Sequence, residues 1–331
     1  MACSGACVDL TNDPDHCGSC SKACLGTPHG APTCVASACG VACNVGYMPQ
    51  GGACVVDDGT DLSTVTAGGA NTCAIRAGGT VACWGYNSSG ESTPPLGTFR
   101  QVSAGAGHVC GVRPDSTVVC WGENSFGERA PPAGALFRQV SAGLFGGHTC
   151  GVRTDGAVAC WGDNSAGQST PPLGTFRQVS AGNYFTCAVR TDGTLACWGK
   201  NNSGQVMPAA GTFRQVSASD EFACGLRVDG TVVCWGKDGG TGAATPPAGM
   251  FRQIATGDFH ACGLRADSTL ACWGSNGGNF GITGRTIAPG GTFRQLSAGQ
   301  NHSCAVRTDG TIACWGYNNN GQATAPAGVF Q

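Results

Sequence analysis

CAVRTDGTLACWG, residues 187–199, sets two cysteines on either side of Thr191-Asp192-Gly193. Glycine at the third of these places suits the positive φ of a three-residue hairpin loop. Counting outward from it, Arg190 faces Thr194, Val189 faces Leu195 and Cys187 faces Cys197. If the Arg190–Thr194 pair closes the turn with hydrogen bonds, the cysteines fall on a non-hydrogen-bonded pair. Their Cα atoms then stand about 4.5 Å apart, within disulfide range. Zinc is the competing reading of paired cysteines. It is the poorer one, because the partners face each other across a hairpin and no second pair has a finger-like spacing.

Near-copies occupy 73–85, 110–122, 150–162, 224–236, 262–274 and 304–316, making seven in all. The same step pairs Cys73 with Cys83, Cys110 with Cys120, Cys150 with Cys160, Cys224 with Cys234, Cys262 with Cys272 and Cys304 with Cys314. The chain's seven tryptophans recur once per copy, 37 to 42 residues apart, a period that suits one small antiparallel sheet. "FRQVSAG" supplies a first strand, and the hairpin arms a second and third. A "QSTPP"-like segment is expected as a fourth, at an edge because of its prolines. Four-stranded sheets repeated radially make a β-propeller. A linear solenoid would need polar capping repeats, but the first repeat, from Asp61, and the last, ending at Gln331, look ordinary. The expectation is an all-β, seven-bladed propeller over 62–331, with four-stranded antiparallel blades and one disulfide per blade.

Composition narrows the function classes. The 331 residues carry a formal net charge of −2, and 11% are charged, which argues against a basic stripe for nucleic acid. The 56 glycines have no collagen-like period and point to many tight turns. Twenty-three cysteines imply an oxidising compartment. "MACSGACVDL" has neither a basic leader nor an apolar core, so no signal peptide is visible. No stretch has the length and apolarity of a membrane span. The expectation is a secreted or cell-surface protein, a monomer, whose export signal lies upstream or was trimmed.

Residues 1–56 hold nine cysteines, Cys3, Cys7, Cys17, Cys20, Cys24, Cys34, Cys39, Cys43 and Cys54, and read as a disulfide-stapled module. Residues 57–61 read as a linker. The odd count leaves one thiol over, which fits a missing upstream segment. Asp9, Asp13 and Asp15 lack the spacing and terminal glutamate of an EF-hand, so turn chemistry at Asn12-Asp13-Pro14 is preferred to calcium. "CVDLTNDPDHCGSCSKAC" resembles cysteine-rich modules of exported bacterial proteins, notably myxobacterial ones.

"VSAGNYFTCAVRTDGTLACWGKNNSGQ" resembles the regulator-of-chromosome-condensation repeat, with its G-x-x-H, D-G and W-G-x-N-x-x-G-Q landmarks. The short period and "GQSTPP" ending are most similar to the propeller-type bacterial β-lactamase inhibitory proteins. This resemblance covers about residues 61–331 and speaks for fold more than for function.

Seven copies in one molecule can be compared with one another. Arg76, Arg113, Arg153, Arg190, Arg227, Arg265 and Arg307 occupy one repeated place, and Arg100, Arg138, Arg177, Arg214, Arg252 and Arg294 another. A structural role is preferred to a basic binding patch. His108, His148, His260 and His302 share a place two residues before a cysteine, on separate blades, and are assigned to packing rather than to metal. No G-x-S-x-G, P-loop or H-E-x-x-H pattern appears. The chain is read as no enzyme, with no cofactor and no metal.

Two sets of positions do vary, and an up-down-up-down strand order puts both on one face. The first is the pair after "SAG", as in Asn183-Tyr184 and Asp258-Phe259, with Leu144-Phe145 inserted in blade three. The second begins after "WG". The candidate partner-binding residues are Tyr86, Glu123, Phe126, Phe145, Asp163, Tyr184, Glu221, Phe259, Asn301 and Tyr317, an aromatic-rich set of the kind that anchors interfaces. The inhibitory-protein resemblance implies enzyme contacts at Phe145, Tyr184 and Phe259, and at Glu123, Asp163 and Phe126. Blades one and two depart from it, offering only Gly69-Ala70 and Ala106-Gly107. The expected function is binding another protein, for which a β-lactamase is one target. A carbohydrate-binding envelope protein and a guanine-nucleotide exchange factor are the alternatives. The cysteines, and the lack of an exchange insertion, speak against the last.

Overall fold

The computed structural model describes residues 64–331 apart from 146 and 278–283. Toward the N-terminus it describes 2–3, 6–7, 14–17, 19, 23–25, 30–35, 38–43, 47–50 and 53–56. The chain divides into two compact units, Met1–Asp58 and Gly59–Gln331. Residues 57–61 lie outside the described residues.

In the first unit, strands Gly30–Val35 and Ala38–Cys43 form one hairpin, and Tyr47–Gln50 and Ala53–Val56 another. Disulfides join Cys17 to Cys34 and Cys24 to Cys39. Cys17, Cys24 and Cys34 make its one described apolar cluster, so sulfur does the work of a core. Asp9 and Asp13 lie outside the described residues.

The second unit repeats one sheet seven times. Blade four is built from an inner strand Phe176–Ala181, a middle strand Phe185–Arg190 and an outer strand Leu195–Gly199. The hairpin register places Val189 opposite Leu195 and Cys187 opposite Cys197. Arg190 N–H donates to the Thr194 carbonyl, and Gly193 takes φ 87° in the turn. All seven blade disulfides form, with Cα atoms 4.0 to 4.1 Å apart. The other inner strands are Val65–Ala67, Gln101–Ala104, Phe137–Ala142, Phe213–Ala218, Phe251–Thr256 and Phe293–Ala298.

Among the described residues the expected fourth strand is absent: each blade sheet has three. The "QSTPP" segments run as turns and irregular chain, as at Gln168–Leu173. Their prolines, paired in four blades and single in three, offer no N–H to a ladder. The outer strand is left as the edge.

A three-stranded sheet cannot bury its own faces, and the cores lie between blades. Cys187 and Val189 of blade four pack with Phe213, Val216 and Ala218 of blade five. Six further clusters repeat this arrangement, and one joins Cys304 and Val306 of blade seven to Val65 and Ala74 of blade one. The series of sheets therefore closes on itself as a β-propeller. Both ends of the propeller chain build the first inner strand. Phe330 bridges to Arg76, taking the place that the "FRQ" phenylalanine fills elsewhere, while Thr64–Ala67 continue the strand. Gln331 N–H donates to the Ile75 carbonyl at 2.9 Å.

The repeated residues are spent on these joints. Five "FRQ" glutamines make a two-way bond with the next inner strand, as where Gln215 Nε2 donates to the Ile254 carbonyl and Ile254 N–H donates to Gln215 Oε1; the sixth, Gln295, accepts from Thr64 and Val65 N–H through Oε1. The register shifts at the preceding arginine in five blades, a bulge that aims the side chain sideways. Arg214 thereby reaches the Phe251 carbonyl of the next blade. Six hairpin arginines lie over phenylalanine rings, as Arg190 does over Phe176 at 4.9 Å, while Arg153 pairs with Asp155. His108 Nε2 meets Thr149 Oγ1 at 2.8 Å, and His302 meets Thr72 at 2.7 Å, across blade boundaries. Burial pushes His108 and His260 down to about 3 and His302 to about 4, so these imidazoles are neutral. Every tryptophan indole donates to a loop carbonyl, as Trp198 does to Gln168 at 2.8 Å.

Candidate functional site

The loop after each inner strand and the loop after each outer strand are tied by one backbone bond. Tyr86 donates to Ala70, Glu123 to Gly107, Asp163 to Gly147, Lys200 to Tyr184, Lys237 to Glu221, Ser275 to Phe259 and Tyr317 to Asn301. Both variable sets therefore meet on one face of the propeller, blade by blade, and Asn301 and Tyr317 come together in blade seven. The hairpin tips and the "PPxGTF" loops lie at the opposite end of the strands.

On this face Tyr86, Phe126, Phe145 and Phe259 are exposed, with Phe126 at 60%. Tyr184, Tyr317, Asp163, Glu221 and Asn301 are half-buried, and Glu123 is exposed. Phe126 lies against Gly147, which brings the loops of blades two and three together beside Phe145 and Asp163. Lys200 pairs with Glu221 at 3.5 Å, joining blade four to blade five next to Tyr184. Tyr184 holds φ at 59°, a left-handed conformation that side-chain-bearing residues avoid without compensation. Asp163 is differently employed. Its carboxylate accepts from Ser165 N–H, Ser165 Oγ and Gln168 Nε2, folding its own loop.

The pair after "SAG" divides its labour. Its first residue is the more buried where blades three and six carry large side chains, beside the end of a channel that the inner strands line, and its second is exposed at the rim. Leu144 is buried and lines that channel, whereas Phe145 is half-exposed. Asp258 is 8% exposed and Phe259 41%. Backbone bonds carry the mouth from loop to loop: Asn183 donates to Ser219, Asp258 to Gln300, Gln300 to Gly68 and Gly69 to Gly105. Gly299 is needed in this girdle, because a Cβ there would strike the Gly68 carbonyl.

Asn183 and Asp258 vary from blade to blade in the sequence, but the candidate partner-binding set holds only their rim neighbours Tyr184 and Phe259. Asn183 Nδ2 donates to Asp220 Oδ1 at 2.7 Å. Burial, and secondarily the Asp220 charge, push Asp258 up to about 7, against an opposing pull from Arg285. Arg285 is buried and lies over the Phe259 ring at 5.3 Å. One signal could have found it: Arg285 stands where five blades carry glutamine or glutamate after a glycine. The one group among the described residues with metal-ligand spacing, Cys17, Cys24 and Cys39, has its sulfurs in disulfides. No helix among the described residues is long and apolar enough to cross a membrane.

Comparison with known proteins follows this geometry. No curated protein sequence matches the chain. Among solved structures, the CRINKLY WD40 ectodomain of the Arabidopsis thaliana receptor kinase ACR4 is 28% identical at TM-score 0.66, covering 81% of this chain and 97% of that one. The entire ectodomain of the Physcomitrella patens receptor kinase CR4 is 26% identical at TM-score 0.64, covering 76% and 72%. Yeast RCC1 (Prp20), in its complex with Kap60, is 16% identical at TM-score 0.56, covering 70% and 73%, a likeness of fold alone. The regulator of chromosome condensation (RCC1) repeat matches residues 63–91, 99–128, 137–168, 176–205, 213–240, 251–281 and 293–322. With more than half its length matched in seven consecutive repeats, the chain belongs to the RCC1 repeat family.

Proposed function

We propose that this chain is an exported, non-enzymatic binding protein that captures a protein partner through the variable face of its propeller. One observation carries the reading: residues repeated in every blade are consumed by blade-to-blade bonds, while the unrepeated aromatics stand on one face, exposed or half-buried. Tyr184 strengthens it, since an aromatic held at φ 59° is set in place before a partner arrives. Nine described disulfides fit an oxidising compartment. The plant receptor ectodomains support the same location. A secreted or periplasmic enzyme such as a β-lactamase is the partner class that the sequence resemblance nominates. The likeness to yeast RCC1 is one of fold, and exchange activity is not carried over from it.

The test is capture from envelope and culture-supernatant extracts, read by mass spectrometry. A Tyr184→Ala/Phe259→Ala double variant is expected to lose the captured protein while keeping the wild-type melting temperature. Unchanged capture rejects this face.

A further inference from the structure

The channel mouth holds more negative charge than it compensates. Asp220 and Asp258 stand on neighbouring loops close enough for their charges to interact, and Arg285 is the one cation that acts on Asp258. Asp258 is 8% exposed, and its Oδ1 has no hydrogen-bond partner among the described residues. Asn183 Oδ1 and Gln300 Nε2, on the loops to either side, are likewise buried and unpaired there. A buried carboxylate oxygen with no donor is costly to keep ionised. It takes up a proton or a second cation. Blades one and two add no charge there, since the corresponding residues are Gly69, Ala70, Ala106 and Gly107.

We infer that this mouth is the seat of a lysine side chain presented by the protein partner, whose ammonium is held by Asp258, Asp220 and Asn183. The inference rests on the protein-binding reading of the face and names the chemistry at its centre. An ammonium brings three donors on a flexible stem; Asp258 Oδ1 and Asn183 Oδ1, both buried and unpaired, would rotate to meet it beside the Asp220 carboxylate. A metal ion is less well served: among the described residues, no three acidic, histidine or cysteine ligands converge here. Phe259 and Tyr184 stand beside the seat on the rim, and neighbours that exclude water strengthen a charge pair.

The proton competes with the ammonium. Asp258 titrates near pH 7, facing Asp220 and Arg285, with His260 neutral behind them. The seat is therefore filled above that pH and weakened below it.

The probe is n-butylammonium, a lysine side-chain mimic, titrated into the full chain at constant ionic strength and followed by NMR shifts at Asn183, Asp258 and Gln300. Saturable binding is expected, about tenfold weaker at pH 6 than at pH 8, as follows from an ionisation near 7. Asp258→Asn is expected to weaken it at least tenfold. Arg285→Gln, which restores the residue other blades carry, removes a competing cation and is expected to tighten it severalfold. Equal affinity in wild type and Asp258→Asn overturns the seat, as does weaker binding by Arg285→Gln. Calcium displacing the probe at micromolar concentration overturns it in favour of a metal. If Tyr184→Ala/Phe259→Ala abolishes capture but Asp258→Asn keeps it at wild-type strength, the face stands and the seat falls. If the probe binds as expected while the double alanine variant still captures, the seat stands and the assigned face falls.

Discussion

Gln215 shows what a repeated residue does in this protein. Its amide substitutes for a strand, accepting from and donating to the backbone of Ile254 in the next blade. Gln215→Ala strips two buried backbone groups of their partners, and the expected loss is about 2–3 kcal/mol in urea unfolding. Asparagine at that position is one methylene too short to restore it. The buried histidines act through the proton. His108, His260 and His302 are neutral when folded, with values near 3 to 4, and titrate at the ordinary imidazole value of about 6.5 when unfolded. Their stabilisation is complete above pH 6.5 and is lost as pH falls toward the folded values. Melting temperature is expected to drop steadily from pH 6.5 to 4, and His302→Gln to flatten part of that slope. Asp258 has the opposite sign. Its raised value contributes stability below the ordinary carboxylate range that is lost as pH rises through about 7, so Asp258→Asn is expected to melt higher than wild type at pH 8.

At the level of the element, the hairpin is the unit that local sequence specifies. The Asp192 carboxylate accepts from Thr194 N–H and Oγ1, glycine supplies the turn, and the disulfide fixes the register. Replacing Cys187 and Cys197 together with alanine is expected to cost about 2–3 kcal/mol, measured as a shift of the unfolding midpoint under oxidising conditions. The outer segment teaches the opposite lesson. Its spacing admits a fourth strand, yet Pro171-Pro172 and their counterparts leave the ladder without donors, so the chain crosses to the next blade as a loop. That loop is still useful: the Gln168 carbonyl in it receives the Trp198 indole.

Across the whole molecule, closure depends on Phe330. Its ring packs in the core between blades seven and one, 6.5 Å from the Trp84 ring, with the Arg76 guanidinium above it. Arg294 also donates to its carbonyl. Phe330→Ala is expected to cost about 3–5 kcal/mol. Phe126→Ala, on the variable face, is expected to stay within about 0.5 kcal/mol of wild type. Thermal unfolding of the two variants side by side separates a phenylalanine that closes the ring from one that faces outward.

The sequence alone determined the seven-fold repeat, the hairpin register of Cys187 opposite Cys197, the pairing of all fourteen blade cysteines and the shared face of the variable loops. These are contacts within about a dozen residues, where turn geometry and strand alternation leave one arrangement. Tertiary structure decided the rest. Neighbouring blades meet through residues nearly forty positions apart, and no local rule says that Gln215 should bond Ile254, or that Phe330 should complete a strand begun at Thr64. The same holds for the mouth. Asp258 and Phe259 are adjacent in sequence, but only the closed ring buries one and leaves the other in solvent.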